Sequence, residues 1–168
     1  WGPENSKVQV MIFSGTRNSP ERKLISQIKK LKDKYTNLYV GFRPVYSGED
    51  PFQNLSFFMN FCVWQQYPEQ YWDYLEKSVG DHKEDMEKEL YKVAQSLNMN
   101  VEPLKKCVID QTYKEAVDYH RKYAHYLGIE SGPVVFISGE VLHGAVTLDK
   151  IEKVLYRQLE VPSAAIWR

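Results

Sequence analysis

"KVQVMIFSGTRNSPERKLISQIKKLKDKYTNLYVGFRPVY", residues 7–46, carries the reading on which the fold turns. Its first nine residues are rich in β-branched and apolar side chains and stop at Gly15, the pattern of a buried strand. From Ser19 the period changes. Leu24, Ile25, Ile28 and Leu31 recur on one helical face. Ser19 is suited to the N-cap and Pro20 to the first helical position, where its missing N–H costs nothing. "NLYVGFRPVY", residues 37–46, returns to a strand pattern and is ended by Pro44 or shortly after. Two strands joined through a helix pair in parallel with a right-handed crossover.

Outward from this unit, "SGEDP" at 47–51 is a turn, and residues 52–127 read as helical almost throughout. "FQNLSFFMNFCVWQQ" is mostly apolar and expected to be buried. The following segments start at Pro68, near His82, at Val101 and near Thr112, and the last ends with Gly128 as a C-cap. The charge-rich "DHKEDMEKE", residues 81–89, reads as a solvated helix face. "PVVFISGEVLHGAV", residues 133–146, gives two short strands turning at Ser138-Gly139, a hairpin signal. "TLDKIEKVLYRQLE", residues 147–160, closes with a helix capped by Thr147; the tail from 161 has no readable pattern. The order predicts one α/β domain over residues 1–168: a mixed sheet flanked by helices on both faces, with a helical insertion at about 52–127.

Composition narrows the function. Lys plus Arg equal Asp plus Glu at 22 each, so no basic face points to nucleic acid or an anionic membrane. No apolar run approaches the roughly 20 residues that span a bilayer. No signal peptide is visible, and the abrupt "WGPENSKVQV" reads as the start of a mature or excised segment. The two cysteines, Cys62 and Cys107, form no C-x-x-C, and His82, His120, His125 and His143 form no H-E-x-x-H. Neither a metal nor a cofactor is expected, and His143 reads as a surface residue. Phe57, Phe58, Phe61, Trp64, Tyr71, Trp72 and Tyr74 read as core rather than as a groove.

"LKKCVIDQTYKEAVDYHRKYAHYLGIESGPVVFISGEVLHGAVTLDKIEKVL", residues 104–155, resembles the C-terminal half of the DsbA-like disulfide oxidoreductases of the thioredoxin fold. There a helix leads through "LGI" into a Gly-Pro, a strand and a "G-A" before the last helix. "FCVWQQYPEQYWDYL", residues 61–75, is similar to the family's Cys-containing helix and the aromatic pair after it, and "VQVMIFSG" matches the strand before its active site. The resemblance spans about residues 8–158 and implies a thioredoxin-like mixed sheet with a helical insertion.

The resemblance also marks a departure. The family's C-x-x-C falls on Asn18, Ser19, Pro20 and Glu21, give or take one position, and no thiol is there. Disulfide exchange needs a thiolate to attack sulfur and a second thiol to resolve the mixed disulfide. An acid that often lies in the preceding strand is also missing from "VMIF". Pro133 matches the family's cis-proline, whose loop faces the active-site turn and pairs with an extended peptide. Gly132 would leave that backbone open to close approach. The alternative is a structural kink ahead of a strand. Cys62 and Cys107 fall on segments where some relatives carry a second, non-catalytic disulfide. Such a bridge, closing a loop of about 45 residues, is worth about 4 kcal/mol in the chain-entropy model and implies an oxidising compartment. Two buried free thiols, or a redox pair, are the other readings.

The implied function is a redox-inactive DsbA-like domain. It binds an extended peptide or a protein partner near the cis-proline loop through Ser19, Gly132, Pro133 and Val134, or serves within a larger extracytoplasmic protein, whether periplasmic, secreted or luminal. The competing class is a thiol-dependent enzyme. Kappa-type glutathione transferases carry Ser-Pro at this turn and hold a glutathione thiolate with a hydroxyl and the helix N-terminus; an atypical disulfide oxidoreductase or isomerase is the other form.

Overall fold

The computed structural model describes residues 1–15, 19–45, 51–79, 85–144 and 146–160, with 19, 20, 33, 51–53 and 160 described by backbone alone. Its elements run β1 (Val8–Ser14), α1 (Ser19–Lys34), β2 (Leu38–Pro44), α2 (Pro51–Gln66), a 3-10 turn (Pro68–Gln70), α3 (Tyr71–Ser78), α4 (Met86–Ser96), α5 (Val101–Ile109), α6 (Lys114–Tyr126), β3 (Val134–Ile137), β4 (Glu140–His143) and α7 (Leu148–Glu160). The strands form one sheet in the order β2-β1-β3-β4. β1 pairs in parallel with β2, Val10 opposite Val40, and antiparallel with β3, Val10 opposite Ile137. The mixed sheet flanked by helices matches the expected fold class.

β1 is central because both of its faces are apolar. Val8, Val10 and Ile12 pack with Leu24, Ile28 and Leu31 of α1 and Ile151, Val154 and Leu155 of α7. Each such side chain contributes about 1.5–3 kcal/mol on leaving water. Phe13 joins Val45, Ala124, Ile129 and Val134 in a smaller cluster that seats α6 beside the ends of β1 and β3. Ser138 and Gly139 both have positive φ, +45° and +97°, as a two-residue hairpin turn of the primed type requires.

The helices between β2 and β3 have a core of their own around Met59, Cys62, Val63, Tyr74, Leu75, Leu90, Ala94, Leu104 and Cys107. The Cys62 and Cys107 sulfurs are bonded at 1.97 Å, tying α2 to α5. Asp85 caps α4 by accepting from Lys88 N–H at 3.3 Å; the expected start near His82 lies outside the described residues. α6 ends in a Schellman turn. Ile129 N–H donates to Ala124 O and Gly128 N–H to His125 O, both at 2.9 Å, with Gly128 at φ +70°. Thr147 Oγ accepts from Lys150 N–H at 3.4 Å and caps α7.

One expectation fails within the aromatic series. Phe57, Phe58, Phe61, Tyr71 and Tyr74 are buried, but Trp64 is 48% exposed. Trp64 follows Val63 on α2, whose two ends of the run face different neighbours, so its ring is left at the mouth of a cleft.

Candidate functional site

β1 delivers the chain to Ser14 and Gly15, and α1 picks it up at Ser19. Residues 16–18 and the side chains of Ser19 and Pro20 lie outside the described part, so the capping role expected of Ser19 does too. Across this turn stands the segment before β3. The Gly132–Pro133 peptide bond is cis. Gly132 and Pro133 are half-buried and Val134 is buried. Pro133 O accepts from Gly144 N–H at 3.1 Å. Among the described residues, Gly132 N–H and C=O make no hydrogen bond.

Glycine at 132 has a structural reason of its own. A Cβ there would stand 2.7 Å from Ser14 Cα and 2.8 Å from Phe13 O. The close approach seen here is that of the protein's own β1. Backbone packed on backbone holds the loop against the end of β1, and any side chain at 132 would wedge the two apart.

The turn also places a residue that strand reading missed. Glu21, one of the four residues on which the resemblance sets the C-x-x-C, give or take one position, is buried with 3% of its surface exposed. Gly15 makes room for it: a Cβ at 15 would lie 2.7 Å from Glu21 Oε1. β1 itself holds no acid, and Glu21 follows it one element later. Its signal in the sequence is an acidic residue in the first helical turn, where the helix dipole favours negative charge. Ser14 Oγ is buried beside this turn and has no partner among the described residues.

A second constellation lies on β2 and α6. Arg43 Nη1 sits 2.6 Å from His120 Nδ1, and the guanidinium lies 5.8 Å from the Tyr123 ring centroid. A guanidinium only donates, so Nδ1 accepts and the imidazole is neutral. Burial, and then the charge on Arg43, pull the His120 pKa down to about 4. Between pH 6.5 and 4 the unfolded chain therefore takes up a proton that the folded chain refuses, and stability falls as pH falls through that window. For a half-buried group the loss is about 1–2 kcal/mol after allowing for solvent screening. Urea unfolding at pH 7 and pH 5 should show a smaller pH difference for His120→Gln than for the natural chain. Equal differences would mean that His120 titrates alike in both states.

His143, at the end of β4, is exposed as expected. No helix among the described residues is long and apolar enough to cross a membrane.

Comparison with solved structures finds the same architecture across nearly the whole chain. BdbD from Bacillus subtilis, in its oxidised form, superposes with a TM-score of 0.79 at 17% identity, over 95% of this chain and 91% of that one. DsbA from Chlamydia trachomatis gives 0.76 at 17% identity, over 96% and 92%. A periplasmic thioredoxin-like protein from Salmonella enterica serovar Typhimurium gives 0.74 at 18% identity, over 96% and 89%. Among curated proteins none matches. These likenesses establish a DsbA-like form of the thioredoxin fold. The family model described as thioredoxin matches residues 1–157. Sheet order, helical insertion and family match converge, and the chain belongs to the thioredoxin family.

Proposed function

We propose that this protein is a DsbA-like thioredoxin-family member that performs no disulfide exchange at the strand-to-helix turn. It binds an extended peptide or a protein partner at the Gly132–Pro133 loop, within one domain spanning residues 1–168. The supporting observation is where the sulfur is. The chain has two cysteines, and both are joined in the Cys62–Cys107 bridge within the helical insertion. None stands at residues 18–21, beside the helix start where a thiol pKa would be lowered. At the loop, the N–H and C=O of Gly132 supply a donor and an acceptor of the kind that pair with an extended chain. Ser19 is the first residue of α1, and Val134 anchors the loop in the core. The buried bridge favours an oxidising, extracytoplasmic setting, in keeping with the chain's likeness to the periplasmic thioredoxin-like protein from Salmonella.

The expected result in an insulin-reduction assay is no turnover above the uncatalysed rate, with or without glutathione. Turnover that survives Cys62→Ala with Cys107→Ala but is lost in Ser19→Ala would replace this reading with glutathione-dependent chemistry at the turn. For the binding half, carboxymethylated insulin B chain should shift the amide resonances of Ser131 and Gly132. Absence of any shift there at millimolar peptide would remove the loop as a site.

A further inference from the structure

Four of the eight large apolar side chains left exposed among the described residues lie within nine positions of one another, on α6 and its C-cap: Tyr119, Tyr123, Tyr126 and Leu127. Apolar surface gathered on one element marks a contact face, and tyrosine is enriched in such faces. The helix turns Val117 and Ala124, 4% and 3% exposed, towards the body of the protein. At 3.6 residues per turn, the side opposite to them carries Glu115, Tyr119, Lys122 and Tyr126, spaced by four, three and four positions. All four are exposed, Tyr126 to 84%. Tyr123 borders this stripe and stacks on Tyr119, with ring centroids 6.1 Å apart and planes 8° from parallel. The stripe points away from the sheet and its edges.

The charges on the stripe are left over from those beside it. Asp118 is held by Lys114 at 2.8 Å and by Arg121 at 3.1 Å. Lys122 attracts Asp118 only from farther away. Among the described residues, neither Lys122 nor Glu115 has an opposite charge within ion-pair distance. The stripe thus presents a cation, an anion and two phenol rings. Their order makes it complementary to itself. Turned antiparallel about a two-fold axis between His120 and Arg121, it brings Tyr119 level with Lys122 of a second copy, and Glu115 level with Tyr126 of that copy. Glu115 and Tyr126 stand about 16 Å apart along the axis, so all four contacts form in one register. The Lys122 ammonium meets the face of a Tyr119 ring, and the Tyr126 hydroxyl donates to a Glu115 carboxylate.

We propose that the outward face of α6 is a docking surface for a second copy of this chain, the two α6 helices packing antiparallel through Glu115, Tyr119, Lys122 and Tyr126. The contact is isologous, so it closes at a dimer and cannot propagate. It is also small. A single helix of 13 residues on each side falls below the area of a standard interface, and the association constant expected is that of a transient pair, with Kd about 0.1 mM. The surface does not depend on the role of the Gly132–Pro133 loop.

The test is sedimentation equilibrium of the full chain from about 10 µM to about 1 mM, a range that brackets the expected Kd. A monomer–dimer equilibrium is expected. Tyr126→Asp should weaken it at least tenfold, because an acid then meets Glu115 of the second copy. Adding Glu115→Lys should restore it, because the two like charges become an opposite pair. Lys122→Glu should weaken it about tenfold. Ile109→Asp, 76% exposed on α5, should leave it unchanged. All these side chains are exposed, so the variants leave the core as it is. A chain that stays monomeric throughout, a loss in Tyr126→Asp that Glu115→Lys does not restore, or an equal loss in Ile109→Asp overturns the proposal. So do shifts of the α6 tyrosine resonances on adding carboxymethylated insulin B chain to a monomeric sample, which would give the stripe to a peptide instead.

Discussion

Replacing Cys62 and Cys107 together by alanine is expected to lower the unfolding free energy by about 4 kcal/mol, the loop-closure value for about 45 residues in the chain-entropy model. That is a large part of the 5–15 kcal/mol that ordinarily holds a domain together, and it corresponds to a fall in Tm of about 8–16 °C for a chain of this size. The effect is large because of what the bridge joins. Cys62 is wholly buried on α2 and Cys107 is 5% exposed on α5, and both lie in the core of the helical insertion. Without the bond, those helices are held by apolar packing and by the hydrogen bonds between Tyr67 and Asn100. Thiol titration of the unreduced protein in denaturant should find none, and urea unfolding of the double variant gives the free energy. A loss below about 1 kcal/mol would mean that the unfolded chain already holds the two helices together.

Gly132→Ala is expected to cost about 2–4 kcal/mol, in the upper range for overpacking. The added Cβ meets Ser14 Cα and Phe13 O, both backbone, at 2.7 and 2.8 Å. No rotamer can relieve the contact, so β1 or the loop must move. Gly128→Ala is the control. Gly128 has φ +70° with nothing within 4 Å of its would-be Cβ, so its cost is conformational alone, about 1 kcal/mol. Chemical denaturation of both variants separates crowding from backbone preference. Similar losses would show that the loop yields easily and that its contact with β1 is soft. Because the loop is also the proposed binding segment, Gly132→Ala should weaken carboxymethylated insulin B chain by moving the Gly132 N–H and C=O, even where the protein stays folded.

Much of the fold was legible because it depends on local patterns. The strand-to-helix change between Phe13 and Leu24, the Ser138-Gly139 turn and the Thr147 cap each signal themselves within a few residues. The site was less legible. Glu21 reads as an ordinary first-turn acid, and only the approach of Gly15 makes it a buried group. Gly132 reads as permissive, whereas contact with Ser14 and Phe13 makes it obligatory. Trp64 reads as core because its neighbours on α2 are apolar, yet packing leaves its ring 48% exposed on the wall of a cleft. Arg43 and His120 lie 77 positions apart, and no periodicity links them.

By itself the sequence determined what the chain can make and what chemistry it lacks: the order of strands and helices, their caps and turns, and the absence of a thiol at residues 18–21. These follow from propensity and side-chain chemistry, which act over one or two turns of chain. Tertiary structure alone decided that Cys62 meets Cys107, that Gly132 lies on Ser14, and that Arg43 meets His120. Those relations depend on which surfaces close-packing brings together, and packing joins residues by shape and burial, whatever their separation along the chain.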